Sequence, residues 1–247
     1  MNPALYAVIC RVREEQRVTV SDPLNVNVKE ILNRSGLLPE LRGSKSRITD
    51  TRNTTIPFAT FEKNQEQDFH TYLTSHVTAH RKFPAATDKL KQRIADSITE
   101  LYSNANLHSR CKHLIASCGQ FFPNKNKLEF CVADAGIGIS GSVKRYELGM
   151  SDCDCIKWAL ESGNTTKTGS IPGGVGLDLV KKFTQLNGGT LIIVSGTGFY
   201  SLTGDNEPTV KTLPVGFPGT VINLAFNTDD QCYYRLGNEA ISPEYLF

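Results

Sequence analysis

The stretch from residue 98 to residue 138 constrains this chain more than any other. It holds Glu100-Leu-Tyr-Ser-Asn104-Ala105-Asn106-Leu-His108 and, further on, Asp134-Ala-Gly136-Ile-Gly138-Ile139. Ile94, Ile98, Leu101 and Ala105 recur at helical spacing and form one apolar stripe. Glu100 and Asn104 stand one turn apart, so they project side by side from that helix. Residues 127–133 (KLEFCVA) then place Leu128, Phe130 and Val132 in alternation, the pattern of a half-buried strand. A carboxylate closing that strand, followed by Gly136 and Gly138, lets a planar ligand lie close to the backbone.

Around this stretch the chain alternates helical and strand signals. Residues 6–12 and 17–20 are short β-prone runs about a Glu14-Glu15-Gln16 turn and read as a hairpin. Residues 28–34 suit a short helix ending near Gly36, and 37–57 read as loop or an added strand. Residues 66–81 carry Phe69, Tyr72, Leu73, Val77 and Ala79 in a roughly helical stripe. Thr87 is a fitting N-cap, with Asp88 in the first turn, for a helix to about Leu107. Residues 112–122 and 127–133 make a hairpin, and 153–162 a helix. A helix over 175–186 stops at Asn187-Gly188-Gly189. Strands follow at 190–195, 199–201 and 220–226. Residues 203–218, with three prolines, read as a surface loop, and 227–247 as a polar tail.

Four segments stand in order: Glu100-x-x-x-Asn104, Asp134-x-Gly136-x-Gly138-Ile139, Gly174-Val175-Gly176-Leu177, and Gly219-Thr220 before an apolar strand. They resemble the four boxes of the GHKL ATPases, the superfamily of gyrase, the heat-shock ninety chaperone, MutL and the histidine kinases. The likeness is to the histidine-kinase-like ATP-binding domain and covers residues 85–226. It implies an α+β fold, a two-layer sandwich of the Bergerat type with a mostly antiparallel sheet and helices on one face. Residues 1–84 would then be an N-terminal extension, 140–173 a lid, and 227–247 a C-terminal tail.

The resemblance also implies roles. Asp134 would accept a hydrogen bond from the exocyclic amine of adenine, with Thr220 supporting that contact and Gly136, Gly138 and Ile139 lining it. Taken alone, an Asp capping a turn explains Asp134 equally well. Asn104 would ligate Mg²⁺ through its amide oxygen, which suits a hard ion. Glu100 would be the general base that orients water on the γ-phosphate. Gly173, Gly174, Val175, Gly176 and Leu177 open a helix whose N–H groups favour phosphate. Lys167 in the lid would reach the γ-phosphate on closure or be an ordinary solvated loop lysine, and His108 at the end of the long helix would touch phosphate or simply cap the helix. Asp178 departs from the Gly or Ala that many members carry.

Composition narrows the function. Net charge is +2 over 247 residues, which argues against nucleic acid as partner. No apolar run approaches a membrane span, and the N-terminus is unlike a secretory signal. Seven cysteines without framework spacing fit reduced thiols in a cytoplasm. His70, His76 and His80 lack a carboxylate or cysteine to complete a metal site, and none stands in a phosphoacceptor sequence. The expectation is a cytoplasmic, Mg²⁺-dependent ATPase whose lid closure signals to a protein partner. Two alternatives stay open: a serine or histidine kinase acting on a separate protein, and a nucleotide-gated module that does not hydrolyse. Homodimerisation is also open.

Overall fold

Five antiparallel strands run in the spatial order β1 (Thr55–Phe61), β2 (Ile115–Phe122), β3 (Lys127–Asp134), β5 (Thr209–Asn227), β4 (Thr190–Thr203). A computed structural model of the chain describes residues 2–44, 48–62, 64–108, 115–145, 147–164 and 176–239. The helices are α1 (Asn2–Arg13), α2 (Val26–Ser35), α3 (Leu37–Leu41), α4 (Glu66–Tyr72), α5 (Asp88–His108), α6 (Gly138–Val143), α7 (Asp152–Ala159) and α8 (Gly176–Leu186). The fold is α+β, as expected, with β3 at the centre of the sheet.

Alternation along β2 and β3 assigns the two faces of the sheet. Ile115, Phe121, Leu128, Phe130 and Val132 point into the main core, where α5 supplies Leu90, Ile94, Ala95 and Ile98. α8 adds Leu177, Val180 and Phe183 to the same core. The opposite residues, Ala116, Cys118 and Ala133, meet Tyr6, Ala7, Cys10, Leu37 and Leu41. Helices therefore lie on both faces: the larger layer as expected, and a partial second layer from α1 and α3. β1, from the N-terminal quarter, is the edge strand of this same sheet.

The hairpin expected over residues 6–20 is instead the helix α1. Tyr6, Ala7 and Cys10 are buried at helical spacing, and the small Ala7 sits against Ala133 and Ala135. Close packing of small side chains on the sheet outweighs the β-preference of Tyr, Val and Ile, which depends on context. The second correction concerns residues 203–218. β5 begins at Thr209 and pairs with β4 through Thr209–Thr212, so only the turn between Thr203 and Thr209 is loop. Pro214 and Pro218 are tolerated because β3 ends opposite Thr220, which leaves that edge of β5 without a partner strand among the described residues. β4 likewise runs unbroken through the expected gap at 196–198, bent by irregularities at Gly196 and Gly198.

Elsewhere the local signals hold. The Thr87 hydroxyl accepts from the Leu90 amide at 3.2 Å, capping α5. Residues 66–78 are helical, with a π-helical turn from Leu73 to Thr78, and the Tyr72 hydroxyl donates to the Pro57 carbonyl at 2.7 Å. α8 ends at Asn187 and at Gly188, whose φ is +63°. The segment after β5 packs: Tyr234 stacks edge-on against Phe183 and pairs with Ala86 just ahead of α5. α6, which overlaps the start of the stretch assigned to the lid, has no clear helical signal in the sequence.

Candidate functional site

Antiparallel register puts Asp134, the last residue of β3, directly opposite Thr220 of β5. The carboxylate is almost buried, at 9% exposure. Its Oδ1 accepts from the Gly136 amide at 2.7 Å and its Oδ2 from the Thr220 amide at 3.0 Å. Burial pushes its pKa up to about 6, even though the Gly136 and Thr220 amides and the Thr220 side chain pull the other way. A carboxylate can accept about four hydrogen bonds, so these two amides leave capacity for a ligand donor.

Behind Asp134 the chain turns sharply into α6. Gly138 has φ +69°, and a Cβ there would strike the Gly219 carbonyl oxygen and Ser195 Oγ. Gly219 has φ +129°, and its Cβ would strike the Asp134 backbone. Both positions require glycine, for conformation and for closeness. The turn delivers the Ile139 amide to Thr220 Oγ1 at 2.9 Å. The Thr220 hydroxyl in turn donates to Ser195 Oγ at 3.2 Å. Ser195, wholly buried, donates to the Gly219 carbonyl and accepts from the Ser140 amide, each at 3.2 Å. The Ser140 hydroxyl closes the knot on the Ser195 carbonyl, also at 3.2 Å.

Thus Asp134, Gly136, Gly138, Ile139 and Thr220 form one cluster at the end of β3 and β5. Ser140 and Ser195 belong to it as well, although neither stands in a motif. Their only sequence signal is a serine interrupting an apolar strand ahead of a glycine, and a serine in the first turn after Gly138.

Glu100 lies in α5, partly exposed, on the flank of the helix away from Ile94 and Ile98. Asn104 and His108 are in the same helix, and their side chains lie outside the described residues. Gly176 is the first residue of α8, and Leu177 is buried in the main core. Lys167, Gly173, Gly174 and Val175 lie outside the described residues. Asp178 takes the Lys182 ammonium at 2.8 Å, one turn along.

A second polar joint lies at the base of the 140–173 stretch. Asp152, at the start of α7, accepts from the Thr197 amide at 2.7 Å and the Thr197 hydroxyl at 2.8 Å, and pairs with Lys144 at 2.6 Å. Burial would raise its pKa, but Lys144 and both Thr197 donors outweigh this and hold the carboxyl at about 2. His70 meets Asp96 at 3.0 Å, and His80 Nδ1 accepts from the Lys82 amide at 3.1 Å while its Nε2 is buried without a hydrogen-bond partner among the described residues. Among the described residues no cluster of His, Cys, Asp and Glu could hold a metal ion, no disulfide joins the cysteines, and no helix is long and apolar enough to cross a membrane.

No protein-family model and no curated protein sequence matches the chain. The resemblance to the GHKL ATPases therefore rests on the four sequence motifs alone.

Proposed function

We propose that this chain binds ATP with Mg²⁺, hydrolyses it, and uses closure of the 140–173 segment to signal to a protein partner. The observation that carries this reading is the Asp134–Thr220 pair, held by backbone amides with carboxylate capacity to spare. Asp134 would accept from the exocyclic amine of adenine; guanine presents an acceptor at the corresponding position and would be repelled. Gly136 keeps the backbone low enough for a ring to lie against it, while Gly138 lets the turn close on Gly219 and Ser195.

The fit of the remaining groups is chemical. The residues before α8, Gly173, Gly174 and Val175, with Gly176 in its first turn, would offer amides to phosphate oxygens at a helix N-terminus. Asn104 would supply an amide oxygen to Mg²⁺, which would neutralise phosphate charge when bound. Glu100, one helical turn earlier, would orient water toward the γ-phosphate. Lys167 and His108 complete the proposed phosphate contacts. Asp152, locked to Thr197 and Lys144, would be the fixed end about which the segment closes.

The test is incubation of the purified protein with γ-labelled ATP and Mg²⁺, following free phosphate and protein-bound label together. Phosphate release that disappears in Glu100→Ala supports the ATPase. Label retained on the protein favours a kinase, and no nucleotide binding at all overturns the reading.

A further inference from the structure

Resting on this reading of the site, we infer that Ser195 is a positioning residue for base selection. It draws the hydroxyl proton of Thr220 inward, so that the site presents only acceptors to the ligand. The polarity of the hydrogen bonds carries the inference. A hydroxyl has one proton and two lone pairs. Ser195 spends its proton on the Gly219 carbonyl and both lone pairs on the Thr220 hydroxyl and the Ser140 amide. It is saturated, completely buried, and unable to rotate without orphaning one of three partners. Thr220 gives its proton to Ser195 and one lone pair to the Ile139 amide. Only a lone pair remains for a ligand.

The other acceptor beside that hydroxyl is the Asp134 carboxylate. In competition with Ser195, it would take the proton and lose part of its capacity for an incoming amine. The Thr220 side chain lowers the Asp134 pKa through the same proton, so Ser195 competes with the carboxylate for it and draws it inward. The resulting set, a carboxylate and a hydroxyl oxygen, matches the exocyclic amine of adenine and mismatches the carbonyl that guanine carries at the same position. Removing Ser195 frees the Thr220 proton to turn toward Asp134 or the ligand. Either rotation weakens an amino edge, and the second strengthens a carbonyl edge.

The experiment measures Kd for ATP and for GTP, each with Mg²⁺, by calorimetry on the full chain as wild type, Ser195→Ala and Ser195→Cys. Cysteine keeps the volume but is a weak acceptor, which serves if the alanine variant folds poorly. The expected result is a preference for ATP in the wild type that shrinks about tenfold in both variants, the worth of one hydrogen bond. A purely structural role lowers both affinities alike, so an unchanged ratio in the folded variants overturns the inference while leaving ATP binding intact. A wild type that binds neither nucleotide overturns the reading beneath it.

Discussion

The Thr220 amide donates to Asp134 Oδ2 at 3.0 Å, joining residues 86 apart in the sequence across β3 and β5. With the Gly136 amide on the other oxygen, the carboxylate is held in one orientation before any ligand arrives. Such preorganisation lowers the cost of binding, because the group need not be ordered on contact.

Asp134→Asn tests the charge at nearly constant volume. An asparagine keeps one acceptor oxygen and turns an NH₂ toward an amide that needs an acceptor. ATP affinity should fall about 10- to 100-fold, the range for a hydrogen bond to a charged group. Stability gives a second readout. Because the folded pKa is raised to about 6, the ionised form is disfavoured by folding. Asp134 contributes most to stability below the ordinary carboxylate range and loses that contribution as pH rises through 6. Urea titrations at pH 4 and pH 7 should therefore shift in favour of the variant at the higher pH, by roughly 2–3 kcal/mol. A difference independent of pH would mean that the carboxyl is not perturbed.

Glu100 and Asn104 separate turnover from binding. Asn104→Ala should abolish Mg²⁺-dependent ATP binding, since a metal ligand is lost. Glu100→Ala should leave binding in place and reduce phosphate release by about 10²- to 10⁴-fold, the usual worth of a general base. Calorimetry and a phosphate assay on the same preparations distinguish the two. Full turnover in Glu100→Ala would remove that residue from the chemistry.

Much of the site was legible because its signals are local. Asp134 closes an alternating strand, and the glycines that follow can only mean a tight or crowded backbone. Ser195 was not legible. Its importance comes from where β4 places it relative to Gly219 and Ser140, and a buried serine in a strand has no periodic signature. The N-terminal helix is ambiguous in sequence for a related reason. Tyr6, Ala7 and Cys10 satisfy a helical pattern, but the run also contains Val and Ile, and only the sheet surface offered by Ala133 decides between them. The prolines of β5 hide its strand character in the same way, since whether a strand edge has a neighbour is a property of the whole sheet.

Gly138 and Gly163 provide a matched pair for the cost of crowding. Both have positive φ, +69° and +89°, but a Cβ at Gly163 would meet open space, whereas one at Gly138 would meet the Gly219 carbonyl and Ser195. Gly163→Ala should cost about 1 kcal/mol, the left-handed penalty alone. Gly138→Ala should cost roughly 2–4 kcal/mol and lower ATP affinity, because the Ile139 amide is carried away from Thr220. Denaturant midpoints settle the ordering. Equal costs would show that the turn after Asp134 has room to spare.

Asp152→Ala tests the joint at the base of the 140–173 segment. It orphans the amide and hydroxyl of Thr197, which should cost roughly 1–3 kcal/mol. The Lys144 contact adds little, because that side chain is 43% exposed and screened by solvent. Asp152→Asn, retaining an acceptor for Thr197, should therefore recover most of the loss. The pH dependence runs opposite to that of Asp134. A carboxyl held at about 2 stabilises the fold at every pH above its ordinary value and loses this as pH falls from about 4 toward 2. The stability gap between wild type and Asp152→Ala should thus be constant from pH 5 to pH 8 and narrow in acid. If α7 is the fixed end of a closing segment, the alanine variant should also lose ATP turnover while Asn retains it. Turnover unchanged in a destabilised Asp152→Ala would confine the joint to holding α7 against β4.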